Sequence, residues 1–160
     1  MAKNIFKTAV FCLCLLICSN AAFAVSTEVR DKAVNFSAVD INGNNVEFNQ
    51  YLGKDAVLLV FFATWCPPCR EEVPELKHIE EQYASKGLRL IAVSVDASLK
   101  VLPRFIEKNN INYTVWQGSQ GARTYNVVGI PTNILINKNG EISYRGNRPP
   151  TAKEIAKVLD

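Results

Sequence analysis

The sequence predicts an α/β domain with a central mixed β-sheet flanked by helices, and three observations carry that expectation. Residues 56–63 are a continuous apolar run, and residues 88–95 are a mostly apolar run broken by Arg89 and Ser94; both are of the kind found in buried strands. Segments with apolar residues at helical spacing separate and follow these runs, which implies right-handed βαβ crossovers. Near the end, Asn137-Lys138-Asn139-Gly140 joins two short strand-like segments, which must therefore be antiparallel.

Residues 34–39 and 46–48 alternate in polarity and are joined through Ile41-Asn42-Gly43-Asn44, a hairpin signal because Asn and Gly tolerate positive φ. The apolar run 56–63 ends at Thr64-Trp65-Cys66-Pro67-Pro68. A helix is expected from Pro67 to about Lys86, since prolines suit its first turn and Val73, Leu76, Ile79 and Tyr83 recur near helical spacing. Pro74 is expected to kink it, because its ring crowds the carbonyl of Arg70 and removes a donor. Gly87 stops the helix. After the strand 88–95 come a helix over 98–108, a short strand at 114–116 and a helical turn over 120–125. Strands at 133–136 and 141–145 follow, and Thr151 caps a last helix that ends at Leu159.

The 160 residues are 48% apolar and 21% charged, which suits one globular domain. Eighteen Lys and Arg against 15 Asp and Glu, without clustering, leave no electrostatic footprint for nucleic acid. Residues 1–24 carry Lys3 and Lys7, then an apolar run over 8–18, then Ala22-Phe23-Ala24, the pattern of a secretory leader cut before Val25. Retention as a membrane anchor is the alternative, although the run is short of the ~20 residues a spanning helix needs. The expected organisation is a signal peptide over 1–24, a flexible lead-in over 25–33 and one domain over 34–160. The expected location is outside the cytosol, in the bacterial periplasm. There a thiol pair meets oxidants and must be kept reduced if reduction is its task.

Cys12, Cys14 and Cys18 fall in the leader, so the domain holds Cys66 and Cys69. Cys66-Pro67-Pro68-Cys69 sits where a buried strand gives way to a helix, and a helix N-terminus favours the thiolate, the nucleophilic form. Cys66 is the expected nucleophile, projecting from the turn. Cys69, one turn further in, is shielded and placed to resolve a mixed disulfide. Neither proline offers an N–H, so the stabilisation of the Cys66 thiolate should be moderate. A zinc site is disfavoured, because two cysteines and the distant His78 do not make the usual ligand set. A purely structural disulfide is disfavoured too, since a two-residue loop removes little chain entropy. A peroxidase is expected to carry a lone attacking cysteine in a different loop context, and none is left over.

Residues 61–76, Phe-Phe-Ala-Thr-Trp-Cys-Pro-Pro-Cys-Arg-Glu-Glu-Val-Pro-Glu-Leu, resemble the active-site segment of thioredoxin-fold proteins. More narrowly, they are similar to the exported thiol-disulfide oxidoreductases of the TlpA/ResA/CcmG type. With the downstream Ile130-Pro131-Thr132, the resemblance covers roughly 34–159 and includes the N-terminal hairpin and a strand-helix insert between Leu88 and Lys108. It implies a thioredoxin-like fold and a cis bond before Pro131, facing Cys66. The backbone of Ile130 would pair with an extended substrate strand. Glu72 would shuttle the Cys69 proton, and Trp65 would lie beside the disulfide and contact substrate. Ordinary thioredoxins carry a buried aspartate six residues before the first cysteine, and Val60 stands there in this chain.

The resulting expectation is an exported enzyme that reduces protein disulfides by Cys66 attack and Cys69 resolution, with no cofactor. The resemblance implies a disulfide-containing exported protein as substrate, apocytochrome c being one such client, and a membrane thiol donor of the DsbD or CcdA type. The alternatives are a disulfide oxidase or isomerase, or a non-enzymatic module that holds a partner protein or a copper ion through the two thiols.

Overall fold

The structure is a computed structural model that describes residues 31–159. The leader and most of the lead-in therefore lie outside the described residues. Seven strands form one sheet: β1 Ser37–Asp40, β2 Asn45–Glu47, β3 Ala56–Phe62, β4 Leu88–Ser94, β5 Thr114–Gln117, β6 Thr132–Ile136 and β7 Ile142–Gly146. Four α-helices accompany them: α1 Pro67–Tyr83, α2 Leu102–Asn109, α3 Ser119–Thr124 and α4 Ala152–Leu159. The strand order is β2-β1-β5-β4-β3-β6-β7.

The two apolar runs are the central parallel pair, β3 against β4, with Leu58 opposite Leu90 and Val60 opposite Ala92. Because side chains alternate along a strand, each run feeds both faces of the sheet. Leu58, Val60 and Phe62 join Leu90 and Ala92 beneath α1, α2 and α4, whose Val73, Leu76, Phe105 and Ile155 are buried there. Val57, Leu59 and Phe61 pack on the other face with Ile91, Val93, Trp116 and an aromatic group of Phe36, Phe48 and Tyr125. Three of the four helices thus share one face. The other is covered by α3 and by the hairpin's aromatic rings, with Phe36 stacked on Phe48 at 4.9 Å between centroids.

Strand direction departs from what simple alternation implies. β6 runs antiparallel to β3, with Val60 opposite Asn133, and β1 runs antiparallel to β5. The six-residue α3 and the loop after it return the chain without a full βαβ crossover, so the polypeptide re-enters the sheet in the opposite sense. The Asn137–Gly140 turn then makes β6 and β7 antiparallel as expected.

Several boundaries shift. Phe48 leaves β2 to begin a 3-10 turn with its ring fully buried, and α1 passes through Pro74 to Tyr83 before a further 3-10 turn reaches Lys86. Gly87 adopts φ +94°, the left-handed conformation that ends the helix. The helix expected from Ser98 is a 3-10 turn over Leu99–Val101 before α2 begins. Residues 31–33, expected in the flexible lead-in, are held against the β6–β7 hairpin: Ala33 N donates to Gly140 O at 2.8 Å and Ile142 N donates to Asp31 O at 2.8 Å. At the other end, Thr151 and Glu154 form a reciprocal cap on α4: Thr151 N donates to the Glu154 carboxylate and Glu154 N to the Thr151 hydroxyl.

Candidate active site

Cys66 is the N-cap of α1, and Pro67 and Pro68 occupy the first helical positions. The first backbone N–H inside the helix is therefore that of Cys69. Cys66 and Cys69 form a disulfide with Cα atoms 5.3 Å apart. Cys66 is 4% exposed and Cys69 3%, so the expected contrast between a projecting and a shielded sulfur is not found in the disulfide form. The loop before β6 accounts for this: the Ile130 carbonyl oxygen lies 3.7 Å from Cys66 Sγ. What separates the two cysteines is place, one at the mouth of the turn and one on the buried stripe of α1 with Val73 and Leu76.

The turn that presents Cys66 is held from two sides. Asp96, buried just past the end of β4, accepts from Thr64 N at 2.8 Å, from the Thr64 hydroxyl at 2.9 Å and from the Ser94 hydroxyl at 2.7 Å. Arg70 donates to Thr64 O at 3.3 Å, and Cys66 N donates to Ala63 O at 3.2 Å. Trp65 stands between these ties with its ring in solvent, 66% exposed. Beside it lies an open, mostly apolar groove of about 680 Å³, lined by Trp65, Val95, Val127, Val128 and Ile130 among others. The Ile130–Pro131 bond is cis, as the resemblance implies.

Glu72 lies one turn beyond Cys69 on α1, the spacing that makes two helical side chains neighbours. It is half-buried, and burial pushes its carboxyl up to about 7, while the Asn133 amide pulls it down and the Glu75 charge adds to the rise. Asn133 Nδ2 lies 3.1 Å from Glu72 Oε2 and 3.3 Å from Oε1. Val60 occupies the place of the missing aspartate, and Asn133 faces it directly across the β3–β6 ladder. The polar group of this layer is thus supplied by the neighbouring strand. Asn133 and Asp96 are not among the site residues expected from the sequence. Their signals were a lone amide opening the apolar run 133–136 and an acid closing the run 88–95 at the carboxyl end of a parallel strand. His78 is exposed on α1. Among the described residues, no group of three or more His, Cys, Asp or Glu side chains could hold a metal ion.

A disulfide at a helix N-terminus, beside a cis-proline loop at the end of a mixed sheet, defines a thioredoxin-fold redox protein. Comparison with known proteins agrees. The model of the AhpC/TSA family matches residues 29–145. The thiol-disulfide oxidoreductase ResA of Bacillus subtilis is 32% identical over 140 residues, covering 81% of this chain and 78% of that protein. ResA of Bacillus thuringiensis subsp. konkukian is 28% identical over 170 residues, covering 99% and 97%. Among solved structures, one from Chlorobium tepidum assigned as the thiol:disulfide interchange protein DsbE is 29% identical with a TM-score of 0.74, covering 82% of this chain and 97% of that one. StoA of Bacillus subtilis is 26% identical with a TM-score of 0.63, covering 79% and 97%. The chain belongs to the AhpC/TSA family, among its thiol-disulfide oxidoreductases of the TlpA/ResA/CcmG type.

Proposed function

We propose that the protein is an exported reductant of protein disulfides. In the dithiol form the Cys66 thiolate attacks one sulfur of a substrate disulfide; a Cys66–substrate bond forms and the substrate's other sulfur leaves. Cys69 then attacks Cys66 Sγ, the substrate departs with its second thiol, and the Cys66–Cys69 disulfide remains. Glu72 takes the Cys69 proton in that second step. Trp65, Ile130 and Pro131 receive the substrate strand, whose main chain pairs with the backbone at Ile130.

The observation that carries this reading is the disulfide at the α1 N-terminus with an open groove alongside, bounded by Trp65 and Ile130. The groove accepts an apolar, extended segment, and nothing about it demands one particular sequence. Each turnover consumes the dithiol, so a donor must restore it, and a membrane thiol donor of the DsbD or CcdA type fits an exported protein. Apocytochrome c, whose haem-binding cysteines must be reduced, fits as a client. The leader over 1–24 supports export, and no helix among the described residues is long and apolar enough to cross a membrane.

The test is insulin reduction driven by dithiothreitol. Wild type accelerates it, Cys66→Ser abolishes the acceleration, and Cys69→Ser accumulates a mixed disulfide with the substrate. Equilibration with glutathione fixes the direction: a reductant has a potential near thioredoxin's about −270 mV, an oxidant one near about −120 mV. Resistance of Cys66 to alkylation in the dithiol form sinks the proposal.

A further inference from the structure

Asn133 is fully buried on the face of β6 that packs under α1, in the same core as Val60, Leu135, Val73 and Leu76. A buried amide is costly unless its hydrogen bonds are made. Here the Nδ2 group is directed at both oxygens of Glu72, while Oδ1 has no partner among the described residues. The half-made set has a chemical logic. A carboxylate only accepts hydrogen bonds, whereas a carboxylic acid also donates one, and a primary amide can answer either.

We propose that Asn133 is the positioning residue for Glu72, holding its carboxyl group beside Cys69 in both protonation states: the Nδ2 hydrogens face the carboxylate, and after a half-turn of the amide Oδ1 accepts a hydrogen bond from the acid's O–H. The inference rests on the role given to Glu72 above. In the resolving step the proton leaves Cys69 Sγ for a Glu72 oxygen, Cys69 Sγ bonds to Cys66 Sγ, the bond from Cys66 to the substrate sulfur breaks, and the substrate thiolate takes a proton from water. Glu72 then releases its proton to water. Without Asn133 the carboxyl is free to turn away from the sulfur in one or both states.

Other groups that face Glu72 do not duplicate this part. Glu75 on the same helix repels the Glu72 charge. Tyr113, ahead of β5, and Tyr144, on β7, both feel the Glu72 charge, and burial raises both phenols, so they stay neutral over the working range. The Tyr144 hydroxyl is committed to Arg148 O at 2.8 Å, and Arg148 is paired with Glu154 beyond it.

The experiment follows the resolving step alone. Cys66 is loaded as a mixed disulfide with thionitrobenzoate, and release of that chromophore is recorded against pH in wild type, Asn133→Leu and Glu72→Gln. Wild type should show a rate limb that tracks ionisation of Glu72. In Asn133→Leu the limb moves to higher pH by about one unit and the neutral-pH rate falls about tenfold, because a hydrogen bond that favours the charged form is gone. A folded Asn133→Leu with an unmoved limb, alongside loss of the limb in Glu72→Gln, overturns the role of Asn133 and leaves that of Glu72 standing. A wild-type profile in Glu72→Gln overturns both. Should Asn133→Leu fail to fold, NMR of the Asn133 side-chain amide in wild type decides. A titration step that disappears in Glu72→Gln supports the proposal, and a flat response overturns it.

Discussion

Asp96 grips Thr64 twice: one carboxylate oxygen accepts the Thr64 backbone N–H at 2.8 Å and the other accepts the Thr64 hydroxyl at 2.9 Å. Thr64 is two residues ahead of Cys66, so a buried acid at the end of β4 fixes the turn that carries Cys66. A third bond from the Ser94 hydroxyl fills the same carboxylate. Asp96→Ala leaves three donors without this acceptor, the half-buried N–H and hydroxyl of Thr64 and the buried hydroxyl of Ser94, and the expected cost is about 2–4 kcal/mol in urea unfolding of the oxidised protein. Asp96→Asn, which keeps one acceptor oxygen, should cost less. If Asp96→Ala unfolds at the wild-type urea concentration, the turn is not held in this way.

The Pro-Pro spacer sets a second expectation. With Cys66 at the N-cap, the N–H groups able to reach its sulfur belong to the second and third helical positions, and Pro68 removes one of them. Pro68→Ala restores that donor beside the thiolate. The Cys66 pKa should fall by about one unit, and the disulfide should become more oxidising, because a stabilised thiolate favours the reduced form. Thiolate absorbance against pH and equilibration with glutathione measure the two effects, and an unchanged pKa refutes the argument.

These two residues mark the boundary between what local sequence encodes and what it does not. The strands at 56–62 and 88–94, the stop at Gly87 and the Cys66–Cys69 pair at a strand-to-helix junction follow from hydrophobic continuity, backbone freedom and motif spacing, all local properties. The direction of β6, the tie from Asp96 to Thr64 and the contact of Asn133 with Glu72 join residues 30 or more positions apart. Periodicity reports which face of a strand is buried and is silent on which neighbour lies there. Asn133 shows the difference: its place in an apolar run predicts burial, but only the register with Val60 puts it beneath α1.

Gly121 tests the packing behind the groove. A Cβ at this position of α3 falls 2.7 Å from the ring of Phe36, which is itself fixed by stacking on Phe48 and by edge contacts with Trp116 and Tyr125. Alanine gains about 1 kcal/mol in helix propensity, while overpacking typically costs about 1–3 kcal/mol. Because the ring has no free side to move toward, the cost should win, and Gly121→Ala should unfold at lower temperature than wild type. A raised melting temperature would show that Phe36 can yield.

Glu72 makes stability depend on pH in a direction opposite to that of most carboxylates. Burial raises it from 4.5 to about 7 in the folded protein. Between these values the folded state holds a proton that the unfolded chain has released, so the stability that Glu72 contributes is greatest at acid pH and is lost as pH rises through the window from about 4.5 to about 7. Above about pH 8 the full penalty of a half-buried charge is present, about 1–2 kcal/mol once solvent screening is allowed for. Glu72→Gln removes the charge, and its neutral amide oxygen can still accept from Asn133. The expected result is a variant close to wild type below about pH 4.5 and more stable than wild type by that amount above about pH 8. Urea unfolding of both oxidised proteins at the two ends of the range measures it. Using the difference between variant and wild type cancels the other titrating groups, among them Glu154, whose tie to Arg148 lowers it to about 2. A difference that does not grow with pH would mean that Glu72 ionises as freely in the folded protein as in the unfolded chain, and the rate limb expected of Cys69 resolution would then have to come from another group.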